Sequence, residues 1–325
     1  MAPSSQELGP PTNPGRFIAG VNGERLRAET MTSVEVAKAI GRGTKPTVEL
    51  RRKGAFQTIG VARGSVLVPV FERNEVLQVI ANIHNRLDLN QVSAPFGLPY
   101  YAVEQLSAIG RLPLLGHPYF ALRYSVPQTT TSARADLVSK IIGGRTIDLP
   151  RAMILVDLMH MVGGRLKPWD TVVEAMLAGD LPYDVVDGCQ PLFHRVRVRR
   201  VDLLSLIGPS LARDGAKTSS SSRAADFPFS TLMTKRDAAE VLNLSARQGT
   251  EVLRGYPTGN LPVVPIADVE VLARRFVTNI ELAVRMGVPH QRVRMAARIL
   301  GAKRTSEAGY ERDLEAALVE VLAEI

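Results

Sequence analysis

The chain has 325 residues, of which 45% are hydrophobic, 22% charged and only 5% aromatic. That is enough apolar material for real cores, which excludes wholesale disorder, and too few rings for a carbohydrate-binding surface or a series of base-stacking platforms. Lys and Arg outnumber Asp and Glu by 40 to 32, and the net charge of +8 favours polyanionic partners, nucleic acid first and anionic membrane second, while the single cysteine, Cys189, excludes a disulfide framework or a cysteine-rich zinc module.

Residues 1–26 begin with Pro3, Pro10, Pro11 and Pro14 among Ser, Asn and Gly. They read as a disordered tail without the apolar core of a secretory signal. No run approaches the roughly 18 apolar residues of a membrane span. The chain is therefore expected to be cytoplasmic and not membrane-bound.

A first unit is expected over 27–80. Thr32 and Glu35 form a capping-box pair. They open a helix A over Ser33–Ile40, with Val36, Ala37 and Ile40 on one face. Gly41-Arg42-Gly43 ends it, Pro46 suits the first turn of a helix B running to Lys53, and Gly54 stops that helix. Residues 55–70 fit a β-hairpin around Gly60 and Gly64.

A second, less regular unit spans 81–143, with Val76–His84 as helix A and Pro99–Ile109 as helix B. The third, 144–214, has Val156–Val162, then Gly163-Gly164, then a helix opened by Pro168 and running to Ala178, then a ribbon over Leu181–Val198. Residues 215–228, with hydroxyl residues from Thr218 to Ser222, read as a linker. In the fourth unit, 229–276, Thr234 caps helix A, Asp237 sits at the box position, Ala239 and Leu242 face inward, and helix B runs over Ala246–Arg254. The fifth, 277–325, has Asn279–Met286, Gly287-Val288-Pro289, then Gln291–Leu300 and a C-terminal helix.

The units share two signatures. Gly-x-Leu-Pro recurs at Gly110, Gly179 and Gly259, with Gly54-Ala55-Phe56 in the same context. A charged-then-apolar motif recurs at Arg73–Leu77, Arg134–Val138 and Arg200–Leu204, with weaker copies at Ala267–Val269 and Arg312–Leu314. The bland alternative is that Gly-x-Leu-Pro is merely a common exit from a helix into a strand.

Two short helices, a tight turn and a ribbon make the winged helix-turn-helix plan. Met31–Val76 and Met233–Val269 resemble its excisionase and MerR-type versions. That resemblance implies a mainly α fold with small β wings, built as tandem winged helix-turn-helix repeats, with helix B entering the major groove. The array more weakly resembles the C-terminal region of TniQ/TnsD-type transposon target-selection proteins. Members of that family usually carry a cysteine-rich zinc region, which one cysteine cannot supply.

Candidate contacts to double-stranded DNA follow from cation placement. The first unit offers Arg42, Lys45, Arg51, Arg52 and Lys53. The third helix B carries Asp170 and Glu174, which repel phosphate, but alternation along its ribbon puts Arg195, Arg197 and Arg199 on one strand face. The fourth unit offers Arg247, Gln248 and Arg254. In the fifth, Val293, Ala296, Ala297 and Leu300 form an apolar stripe opposite Gln291, Arg294 and Arg298, followed by Lys303 and Arg304. No acidic residue interrupts Arg285–Arg304.

Catalytic motifs are missing from the sequence. It has no Gly-x-Ser-x-Gly, no His-Glu-x-x-His and no phosphate loop. Cys189 and His194 lack further ligands for a metal, and no cofactor is expected. The expectation is a non-enzymatic, sequence-dependent DNA-binding protein that selects a site for a mobile element or regulates transcription. It would act beside transposition or transcription proteins. The alternative is an adaptor whose repeats dock proteins.

Overall fold

The computed structural model describes residues 16–18, 28–63, 66–146, 149–211, 229–257, 263–304 and 309–325. It is mainly helical, 58% helix and 14% strand, with small antiparallel sheets. The linker 215–228 and Gly259 lie outside the described residues. The chain divides into two bodies, one holding the described residues up to Asp88 with Leu114–Ser132, the other Leu89–Pro113 with Ala133–Ile325.

One order of elements recurs five times among the described residues: strand, helix A, helix B, strand, helix C. Each time the opening strand pairs antiparallel with the strand just before helix C. The pairs are Thr30–Met31 with Phe71–Glu72, Arg86–Asp88 with Gln128–Thr130, Met153–Ile154 with Arg197–Val198, Leu232–Thr234 with Val263–Pro265, and Phe276–Val277 with Tyr310–Glu311. Helix C is Arg73–Asn85, Thr131–Gly143, Arg200–Leu211, Ile266–Arg275 and Glu315–Glu324 in turn.

Helices A and B keep a common register. In four units a left-handed residue stands eight after the start of helix A and three before the start of helix B: Ser33, Gly41, Thr44; Leu89, Gly97, Tyr100; Lys235, Asn243, Ala246; Asn279, Gly287, His290. The next amide then donates back five residues, Arg42 to Ala37, Leu98 to Ser93, Leu244 to Ala239 and Val288 to Ala283. This closes the helix end while the chain reverses, and a positive φ makes it possible. The third unit stretches the turn: Leu155–Leu158 continues as a 3-10 turn, Met159–Met161, and Gly164 precedes Trp169–Ala178 by five.

The same register sets the core. The fourth residue of helix A is Val36, Val92, Leu158, Ala238 or Leu282, and all are buried. The fourth residue of helix B is Thr47, Val103, Val172, Gly249 or Val293, also buried. At Gly249 the two helices approach so closely that a Cβ would lie 2.6 Å from Ala239 Cβ.

The recurring glycine motif has a physical origin here too. Gly54, Gly110 and Gly179 all have positive φ at the end of helix B. The following amides donate five residues back, Ala55 to Leu50, Arg111 to Leu106 and Asp180 to Ala175, and Phe56, Leu112 and Leu181 then plug the core. Thr32 and Glu35 form the capping box, with the Glu35 amide 3.3 Å from Thr32 Oγ1 and the Thr32 amide 2.7 Å from Glu35 Oε2. These bonds hold the Glu35 carboxyl below its ordinary value.

Several expectations need correction. Val76–His84 is not helix A of the second unit; it lies within helix C of the first, which runs to Asn85, past the expected boundary at 80. The second unit's helix A is Leu89–Phe96. No hairpin follows Gly110; the helix Pro118–Arg123 comes instead. The third ribbon is broken by the helix Leu192–Arg195 between Tyr183–Val185 and Val196–Val198. The N-terminal tail is not wholly unstructured: Arg16–Ile18 pairs parallel with Ile59–Val61, adding an edge to the hairpin Thr58–Arg63 and Val66–Glu72.

The first body closes over Val36, Leu50, Phe56, Phe71, Val76, Tyr119 and Phe120. The second body is stitched by polar seams. Lys167, fully buried, donates to Glu240 Oε1 at 2.6 Å and to its carbonyl at 2.9 Å, and the Tyr101 hydroxyl donates to Glu240 Oε2 at 2.7 Å. Asn243 bridges His160 Nδ1 at 3.0 Å and the Val162 carbonyl at 2.9 Å. Glu281 and Glu315 each pair with both Arg285 and Arg312. Gly163 admits this square, because a Cβ there would fall on the Glu281 carboxylate.

Candidate nucleic-acid interface

The common register makes the five helices B comparable position by position. The second and ninth places lie on the side away from the buried fourth. They hold Lys45 and Arg52 in the first unit, Arg247 and Arg254 in the fourth, where Arg254 falls in the turn just past the helix end at Val252, and Gln291 and Arg298 in the fifth, and all six are exposed. In the second unit the pair is Tyr101 and Ala108, with Tyr101 buried, and in the third it is Asp170 and Leu177. Helix Tyr100–Ala108 buries Tyr101, Ala102, Val103, Glu104, Leu106 and Ser107, which leaves it no free face. Helix Trp169–Ala178 buries Trp169, Val172, Val173, Ala175 and Met176.

In the fifth unit Val293, Ala296 and Ala297 are buried and Gln291, Arg294 and Arg298 exposed. Leu300, expected in the apolar stripe, is 38% exposed because the helix stops at Ile299 and the period is lost at its cap. Arg294, Arg298 and Lys303 have no ion-pair partner among the described residues. Arg285 is committed to Glu281, Glu315 and the Met161 carbonyl. A groove of about 210 Å³ opens between the fourth and fifth units of the second body. Asn243, Gln248, Asn279, His290, Arg294 and Arg304 line it, with no acidic side chain.

The remaining candidates divide. Lys45, Arg52 and Lys53 are exposed, Arg42 and Arg51 half-buried, and none of the five has an ion-pair partner among the described residues. Gln248 is turned back on its own helix start, its Oε1 accepting from the Ser245 amide at 3.2 Å and hydroxyl at 2.9 Å. Arg254 pairs with Glu251. The three arginines of the third ribbon do not form one strand face. Arg195 ends a helical turn and donates to the Val186 carbonyl at 2.7 Å, and Arg199 pairs with Asp202 at 2.6 Å. Arg197 alone of the three is exposed on the strand.

Met295, which the sequence already places between Arg294 and Arg298 on the open face, is exposed there; sequence reasoning passed over Ile299, which stands exposed beside Arg298. It also passed over His290 and Asn243 in the groove. The eight-and-three register was the signal that places them.

Among the described residues no three His, Cys, Asp or Glu side chains gather as a metal set, and no helix is long and apolar enough to cross a membrane. Comparison with protein-family models, curated proteins and solved structures returns no match.

Proposed function

We propose that this chain is a non-enzymatic, sequence-dependent duplex-DNA-binding protein built of five winged helix-turn-helix units. In this reading the helices B of the first, fourth and fifth units engage DNA, and those of the second and third form the frame. The observation that carries it is the pair of outward places in the helix B register: exposed Lys, Arg or Gln in three units, against Tyr101 and Ala108 or Asp170 and Leu177, none of them exposed, in the other two. The strand–helix–helix–strand–helix order, with its opening strand paired to the strand before helix C, supports the winged plan. A helix in the major groove needs such a free cationic face, since phosphates position and base edges specify. Selecting a site for a mobile element or regulating transcription is the role that fits, in a cytoplasmic setting.

Binding-site selection by the full chain on randomised duplexes, followed by salt titration, tests this. One sequence should emerge, and log affinity should fall linearly with log salt. Lys45→Ala and Arg52→Ala should each lower that slope by about one where a phosphate contact is lost. Arg298→Ala should relax one or two positions of the site, while Arg304→Ala weakens all sequences alike. No selected sequence and a flat salt response would instead favour a protein-docking adaptor.

A further inference from the structure

The outward face of the fifth helix B is not uniformly polar. Met295 and Ile299 are 46% and 59% exposed. They sit one turn apart, each next in sequence to an arginine and so about 100° further round the axis. Arg294 and Arg298 thus form one row, Met295 and Ile299 a parallel one. Val293, Ala296 and Ala297 hold the opposite side in the core, so the apolar row cannot turn inward without lifting the helix away.

Single exposed apolar residues are ordinary on a protein surface. Two in a row flanked by arginines, in a stretch from Arg285 to Arg304 without one acid, set a narrower condition. Whatever covers this face must carry negative charge for the arginines and also present small apolar groups beside it. The major-groove edge of duplex DNA meets both terms. Guanine O6 and N7 accept from arginine, and the thymine C5-methyl is the apolar group in that groove.

We infer that Met295 and Ile299 are specificity residues that contact thymine methyls next to guanines held by Arg294 and Arg298. The inference rests on the duplex-DNA reading above and adds to it a base preference and the residues that set it. Neighbouring thymine and guanine should therefore stand at the part of the selected site that the fifth unit covers.

The test uses the full chain and its selected duplex. Each thymine is replaced in turn by uracil, which removes the methyl and leaves pairing and phosphates unchanged. Affinity is read by fluorescence anisotropy at one salt concentration. The parent should lose about fourfold at one or two positions, the worth of one buried methyl. In Met295→Ala or Ile299→Ala that penalty should vanish while the salt slope stays, and Met295→Leu should restore it. The inference is overturned if no uracil substitution matters, or if the penalty is the same in the variants as in the parent. A chain that selects no site and shows no salt dependence fails at the earlier step, and that result is distinct. If a protein covers the apolar row instead, both alanine variants will bind every duplex as the parent does.

Discussion

Helix B of the third unit and helix B of the fifth hold the same place in the repeat, yet one is frame and the other is surface. Trp169–Ala178 sends Trp169, Val172, Val173, Ala175 and Met176 into the core, with Trp169 edge-on to Phe193 at 6.0 Å between centroids. His290–Ile299 buries only Val293, Ala296 and Ala297 and leaves a face of Gln, Arg, Met and Ile. The backbone plan is shared, so the difference lies in the side chains at the second and ninth places. A repeat can thus be kept for its architecture after its outward face is given over to packing.

The comparison breaks most sharply at Trp169. Trp169→Ala removes a fully buried ring and should cost about 3–5 kcal/mol by urea denaturation. Arg298→Ala should leave the unfolding midpoint nearly unmoved. If the two cost alike, the division into frame and surface is mistaken.

Next comes Gly163→Ala, whose methyl meets the Glu281 carboxylate and so pushes apart Glu281, Arg285, Arg312 and Glu315. Overpacking of this kind costs about 1–3 kcal/mol. Gly188→Ala, with open space around it, is the control.

The polar seam carries a pH dependence of its own. Burial, with the Lys167 ammonium adding to it, holds the His160 imidazole below its ordinary value of 6.5. As pH falls through that value, the unfolded chain takes up a proton that the folded chain resists, so stability present above it is lost below. His160→Gln should flatten this loss, measured as denaturation midpoints on either side of neutrality. Glu104 has the opposite sign. Burial raises its carboxyl above 4.5, so the folded chain keeps a proton the unfolded one has released, and stability drops as pH rises through that range.

The smallest effects belong to the surface. Lys45→Ala, Arg247→Ala and Arg298→Ala should each change stability by less than about 0.5 kcal/mol. Under the duplex-DNA proposal their consequence should appear in the salt slope and the selected site alone.

Much of the repeat was legible because it is written in local backbone rules. Thr32 with Glu35, and the glycines at 54, 110 and 179, act within one helical turn, so residue type suffices. The second unit was misplaced because Arg73–Asn85 is itself amphipathic and satisfies a helix A pattern. Gly97-Leu98-Pro99, the counterpart of Gly287-Val288-Pro289, marks the true turn. Strand alternation misread Arg195 and Arg199 because Pro191 opens a helical turn and Asp202 captures Arg199. The bond between Lys167 and Glu240 spans 73 positions, and no local pattern announces it.

The junction of the fourth and fifth units has no linker: Arg275 ends helix C and Phe276 begins the next strand. Val277, buried, is matched to Tyr310. One inserted residue would slip that pairing and turn Val277 outward. The absence of a linker ties the spacing of the two neighbouring helices B to this pairing, and under the duplex-DNA proposal the site must match that spacing. On a duplex, one extra base pair between the two contacts rotates the second by about 34–36° about the axis. Under the duplex-DNA proposal, length variants of the selected site between these two contacts should therefore bind more weakly than the parent site.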